Sequence, residues 1–213
     1  MTGCCDPRGC DEFFGSRFAR RVAARYRKRG LDKTAGRIVA FIEREGVGDA
    51  TVLEIGGGVG EIQLELLKRG AARAVNLELS PAYDREAQVL LREAGIAEER
   101  VDRRLHDIAE DPEAVGAADV VVLHRVVCCY PDYERLLGAA ASRARRLLVF
   151  SHPRRNALSR AFLAIQNFGF RLSRKEFRAF AHPLPEMLDV CRDRGLSATY
   201  HAGVVWQVEG LAR

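Results

Sequence analysis

The strongest chemical signal in this 213-residue chain is Val52-Leu53-Glu54-Ile55-Gly56-Gly57-Gly58-Val59-Gly60. An apolar run leads into it and a helical pattern leaves it. Glycines at such a junction let the backbone turn sharply and approach a ligand closely. The spacing narrows the ligand. A dinucleotide loop runs G-x-G-x-x-G, and a phosphate loop ends in Gly-Lys-Ser/Thr. Here glycines stand at 56, 58 and 60, and Glu61 follows. Glu54, just ahead of the first glycine, repels phosphate and suits a cation. Eighteen residues past Gly60, Glu78 ends the next apolar run. A carboxylate there can hold both hydroxyls of a ribose. Without a ligand, the loop is a tight strand–helix turn and Glu78 a solvated strand end.

A second cluster is His124-Arg125-Val126-Val127-Cys128-Cys129-Tyr130-Pro131-Asp132. It follows another apolar run. His124, Tyr130 and His152 come just after expected strand ends, which makes them the candidate general acids and bases. His124 could equally be packed at its strand end. Six cysteines accompany them: Cys4, Cys5, Cys10, Cys128, Cys129 and Cys191. Thiolates near a common mouth could hold a soft metal or metalloid. They could form a reactive pair, or simply be small buried hydrophobes. The C-C-x4-C spacing is not a standard zinc pattern, so no residue is assigned to a metal.

These residues need a scaffold. A helical pattern starts at Ser16, a plausible N-cap, and ends at Gly30. A second helix follows Asp32 or Thr34, with Ile38, Val39 and Ile42 on one face. Strands are expected at 50–55, 73–79, 101–105, 119–124 and 147–151. Helices lie between them, over 61–69, from Ser80-Pro81 to near Gly95, and over 131–143. Alternating strands and helices mean a parallel sheet covered on both faces. An apolar helix-like insert covers 156–170, with a basic tail ending near Phe180, and a helix follows over 183–194. Two strands, 197–202 and 204–209, are separated only by Gly203, which makes a terminal antiparallel pair.

Glu-x-Gly-x-Gly-x-Gly followed by an acidic second strand end resembles the class I S-adenosylmethionine-dependent methyltransferases. The resemblance spans about residues 35–210. It implies a Rossmann-like, seven-stranded α/β fold, mostly parallel, with an antiparallel terminal pair and a helical cap. It also implies that Glu54, Gly56, Gly57, Gly58 and Gly60 line the methionine end of S-adenosylmethionine. Glu78 would take the ribose and Leu79 would pack on the adenine. His106, Asp107 and Ile108 would face the adenine, with Asp107 toward its amino group or serving as a helix cap. His124 and Arg125 would bring backbone near the sulfonium, and S-adenosylhomocysteine would be the product. Val149-Phe150-Ser151-His152-Pro153-Arg154 and the segments after it are similar to magnesium-protoporphyrin O-methyltransferases, which implies a tetrapyrrole carboxylate as acceptor. The cysteine segments lie outside that pattern.

Composition sets the outer bounds. Hydrophobic residues are 47% and charged residues 30%, as in ordinary soluble domains. No apolar run reaches the ~18 residues of a membrane span, and no signal peptide is visible. A cytoplasmic enzyme with a small-molecule partner and no membrane partner is expected. Net charge is +5, carried as +5 in residues 1–30 and +6 in 151–178, on a body of −6. If the two basic segments converge, they favour an anionic ligand. They are also the only feature favouring nucleic acid, and no Asn/Asp-Pro-Pro-Tyr/Phe loop accompanies them. The expected layout is a cysteine-containing segment with a basic cap helix (1–34), then the cofactor-binding domain (35–213) with its insert at about 154–182. The alternative is a thiol-rich metal or metalloid protein, enzyme or sensor.

Overall fold

The computed structural model describes residues 14–213. Cys4, Cys5 and Cys10 lie outside the described residues. Two helices open the described residues, α1 (Ser16–Arg29) and α2 (Lys33–Arg44). The alternation follows as β1 (Thr51–Ile55), α3 (Glu61–Lys68), β2 (Arg73–Glu78), α4 (Asp84–Glu93), β3 (Val101–Leu105), β4 (Ala118–Leu123), α5 (Tyr133–Arg143) and β5 (Ala144–Pro153). Then come α6 (Ala157–Leu172), α7 (Leu184–Arg192), β6 (Ser197–Gly203) and β7 (Trp206–Ala212).

The seven strands form one sheet in the order β3-β2-β1-β4-β5-β7-β6. The first five are parallel, and β7 pairs antiparallel with both β5 and β6. Buried parallel strands need apolar residues on both faces. Period two then sorts them. Val52, Val120, Val122 and Val149 pack toward Ile38, Phe41 and Ile42 of α2. Leu53, Val121, Leu123 and Phe150 pack toward Leu136 and Leu137 of α5 and Met187 of α7. Strand order reverses between β1 and β4. Ligands in this architecture bind outside the carboxyl ends at that point.

Local chemistry sets the boundaries. Asp32 caps α2, its Oδ1 accepting from the Thr34 and Ala35 amides at 2.9 Å each. Ser16 is the first residue of α1 rather than its cap, which is Gly15. Pro131 precedes α5, because the Asp132 side chain caps it by accepting from the Arg135 amide. Asn156 and Ser159 close a capping box on α6, which ends at Leu172, two residues past the expected end at Phe170. The last turn is longer than one glycine. β7 begins at Trp206 and continues to Ala212 because β5 pairs along that whole stretch. None of the described helices is long and apolar enough to cross a membrane.

Candidate active site

A cavity of about 400 Å³ lies outside the carboxyl ends of β1, β2 and β4. Phe14, Phe18, Arg21, Val22 and Arg25 roof it from the start of the chain and α1. The roof helix is tied down at its far end. The Tyr26 hydroxyl donates to Glu65 Oε1 at 2.6 Å, and Arg27 pairs with Glu93 at 2.7 Å.

The floor holds three carboxylates. Glu54 is 2% exposed, and its Oε2 accepts from the Gln63 amide at 3.2 Å. Burial pushes its carboxyl up to about 8, and the nearby Glu61 pushes the same way. Glu61 lines the cavity too and is raised by burial. Glu78 Oε2 accepts from the Gly58 amide at 2.8 Å, and its Oε1 from the Leu79 and Ser80 amides at 2.8 and 3.3 Å. Burial still outweighs these donors and raises it. Acidic groups kept from ionising by burial gain most when a cation enters.

Gly56, Gly57, Gly58 and Leu79 line the cavity with them. A Cβ on Gly57 would stand 2.1 Å from Asn76 Nδ2 and 2.9 Å from Glu54 Cδ. Asn76 is fully buried and donates to Gln63 Oε1 at 3.0 Å, so it cannot swing away. Gly57→Ala should therefore cost about 2 kcal/mol of stability, the usual cost of overpacking. A urea melt should show a lower midpoint with an unchanged slope. Gly60 does not line the cavity. It sits at the α3 N-terminus with φ +83°, a left-handed turn that frees the helix to start there.

His106, Asp107 and Ile108 form one wall. Asp107 Oδ1 accepts from the Ala109 amide at 2.9 Å, and Oδ2 accepts from the Tyr130 hydroxyl at 3.0 Å. Burial and Asp107 raise the Tyr130 phenol above its ordinary value. Tyr130 lines the cavity, but as a donor that holds Asp107 rather than as a base.

His124 and Arg125 form the opposite wall. His124 Nδ1 lies 3.1 Å from Ser151 Oγ, and its Nε2 lies 4.0 Å from Asp32 Oδ2. Burial, helped by the Arg125 charge, lowers this imidazole to about 4, so it is neutral at physiological pH. Arg125 adopts φ +59°, a costly conformation for a side-chain-bearing residue. Its amide donates to Ser151 Oγ at 2.9 Å, and its guanidinium pairs with Asp32 at 2.8 Å and covers the Trp206 ring.

His152 is outside this group. It is 2% exposed inside β5, with Nε2 3.1 Å from Glu209 Oε1 and Nδ1 3.2 Å from the Pro153 carbonyl. Both ring nitrogens are committed, which corrects the expectation of a catalytic role. Cys128 is buried, and Cys129 reaches the cavity. Their sulfurs are 3.5 Å apart. Among the described residues, no group of three or more His, Cys, Asp or Glu could hold a metal ion. The basic segments do meet: Phe14, ahead of α1, packs on Phe177 of the insert at 5.3 Å.

Comparison with known proteins places this geometry. Residues 18–201 match the family described as Methyltransferase domain. No curated protein sequence matches the chain. A magnesium protoporphyrin IX methyltransferase from Synechocystis, solved with S-adenosylhomocysteine bound, is similar in structure. Its TM-score is 0.75 at 19% identity, over 95% of this chain and 96% of that one. An O-methyltransferase family protein from Burkholderia thailandensis gives 0.69 at 20% identity, over 93% and 60%. An O-methyltransferase family 2 protein from Planctomyces limnophilus, in complex with apigenin, gives 0.66 at 18%, over 92% and 61%.

Proposed function

The chain belongs to the methyltransferase family matched over residues 18–201, and from that premise we propose that it transfers a methyl group from S-adenosylmethionine to a small anionic or aromatic acceptor. The observation that carries the reading is the set of three carboxylates that line the cavity around the glycine loop, Glu54 buried and Glu61 and Glu78 half-buried, all raised by burial. They suit a ligand bearing an ammonium, a sulfonium and a ribose. In this reading Glu54, Gly56, Gly57 and Gly58 take the methionine end and Glu78 the ribose hydroxyls. Leu79, His106 and Ile108 enclose the adenine, and Asp107, held by Tyr130, faces its amino group. Of the segment expected over residues 1–34, the described residues 14–34 act as the cap on a cofactor domain of residues 35–213, with the insert at about 154–182 beside the mouth.

When bound, the cofactor supplies an already activated methyl group. The chain's own tasks are alignment and exclusion of water. Phe14, Phe18 and Val22 close the cavity against solvent. The strained Arg125 amide, fixed by Ser151, sets the wall beside the reacting atoms. His124 is held neutral, so it can accept a hydrogen bond or a proton from a protonated acceptor. With an imidazole lowered to about 4, it is a weak base, and a carboxylate acceptor needs none. Arg21, Arg25 and Arg125 place positive charge at the acceptor side, which favours an anionic substrate. A tetrapyrrole carboxylate, the acceptor class suggested by the Synechocystis neighbour's name, fits that field.

The test is methyl transfer from labelled cofactor to magnesium protoporphyrin, to its dimethyl ester, and to a phenolic flavone. Label should enter the dicarboxylate as an alkali-labile ester and leave the diester untouched. Arg21→Gln with Arg25→Gln should raise KM about tenfold, a joint loss of ~1.4 kcal/mol from the two charges, with kcat little changed. Cofactor binding without label in any of these acceptors would overturn the assigned acceptor class.

A further inference from the structure

Helix α6 carries its apolar residues on the wrong side for a core helix. None of its sixteen residues is buried. Leu158, Phe162, Ile165, Phe168 and Leu172 are 64% to 79% exposed. Spacings of four, three and seven put Leu158, Phe162, Ile165 and Leu172 on one stripe. Half-buried Ser159, Leu163, Gln166, Asn167 and Phe170 occupy the other side and face the protein.

A second apolar element adjoins it. Val204 and Val205, in the turn between β6 and β7, are 69% and 73% exposed. The Arg154 amide donates to the Val205 carbonyl at 2.9 Å, which seats this turn at the base of α6. Two exposed apolar elements far apart in sequence are thus tied to each other through the backbone at Arg154.

Charge says what covers it. Arg154 and Arg155 precede the helix and Arg174 and Lys175 follow it, Arg160 and Arg171 stand on the side away from the stripe, and Glu176 is the single acidic residue in 151–182. A second copy docked on this face would set cations against cations. An anionic lipid surface matches both properties, with the stripe in the acyl boundary and the cations at the phosphates. We propose that α6 and the Val204–Val205 turn dock this protein onto bilayers that carry anionic lipids.

The helix would lie in the plane of the interface and would not cross it. At 1.5 Å per residue it is about 24 Å long, short of the hydrocarbon thickness of ~30 Å. Docking also places the cavity near the interface. Phe170 of α6 packs on Phe177 at 5.5 Å, and Phe177 packs on Phe14, which lines the cavity. The inference does not depend on which ligand fills that cavity.

Co-sedimentation with phosphatidylcholine vesicles containing phosphatidylglycerol tests it. The protein should pellet with these vesicles, and at least about tenfold less with phosphatidylcholine alone or in high salt, since each surface cation contributes ~1 kcal/mol. The double variant Phe162→Glu/Ile165→Glu should lose vesicle binding about tenfold or more, because charge enters the acyl boundary. Its melting temperature should stay at the wild-type value, since both residues are exposed. Equal pelleting of wild type and double variant, or no pelleting with anionic vesicles, overturns the proposal. So does a dimer on gel filtration that the double variant dissolves, which would assign the face to a second copy.

Discussion

Replacing Glu78 with Ala should weaken S-adenosylmethionine binding about 100-fold. The carboxylate stands at the end of β2 and faces the cavity. In the proposed reading it accepts from two ribose hydroxyls, and hydrogen bonds to a charged acceptor contribute about 1.5–3 kcal/mol each. Ribose recognition does not depend on the methyl group. S-adenosylhomocysteine should therefore lose affinity by the same factor. Calorimetric titration of both ligands measures this. Unchanged affinity for both would remove Glu78 from the site. A loss confined to one ligand would mean that it reads the sulfur end instead.

Replacing Glu54 with Gln should make the unliganded protein more stable and a poorer binder. The folded pKa is raised from an ordinary 4.5 to about 8 by burial first and by Glu61 next. A raised carboxyl contributes stability that is fully present below about 4.5 and is lost as pH rises through about 8. Gln resembles the protonated form at every pH. The two proteins should melt together at pH 4.5. The variant's advantage should widen up to pH 8 and reach about 4 °C or more, given that ~1 kcal/mol moves a domain of this size by 2–4 °C. Cofactor binding should show the opposite. A cationic ligand selects ionised Glu54, so wild-type affinity should rise up to about tenfold per pH unit below pH 8. The variant should bind more weakly with a nearly flat profile. A variant less stable than wild type at pH 8 would show that Glu54 is satisfied without a ligand.

The parts of the site that sequence revealed are those set by local spacing. Glu54, the glycines and Glu78 sit at strand ends within one β-α-β unit, where chain geometry fixes their direction. The parallel sheet followed from the same alternation, while its strand order came from the structure. What sequence missed depends on pairing and burial. β5 runs through Pro153, so His152 is inside a strand and not after one. Period two then turns Ser151 and His152 to opposite faces. Ser151 reaches His124 and Arg125, while His152 turns to Glu209. Glu61, seen in sequence only as a residue that breaks the phosphate-loop pattern, was not expected in the site because its direction depends on the left-handed turn at Gly60. Asp32 reads as a cap from sequence. Its bond to Arg125 arises only when α2 docks beside β4. There the bound Ala35 amide and the Arg125 charge outweigh burial and lower its carboxyl.

The most direct test of a cation-seeking carboxylate cradle is proton release on cofactor binding. The protein is titrated with S-adenosylmethionine at pH 7 in two buffers of different ionisation enthalpy. The ligand's amino group is then largely protonated already, given ordinary amino pKa values of about 7.7–8.0. One-to-one binding with net release of protons into the buffer is expected, as Glu54 gives up its proton to meet the charge. Binding with no release, or no heat at all, would contradict the account.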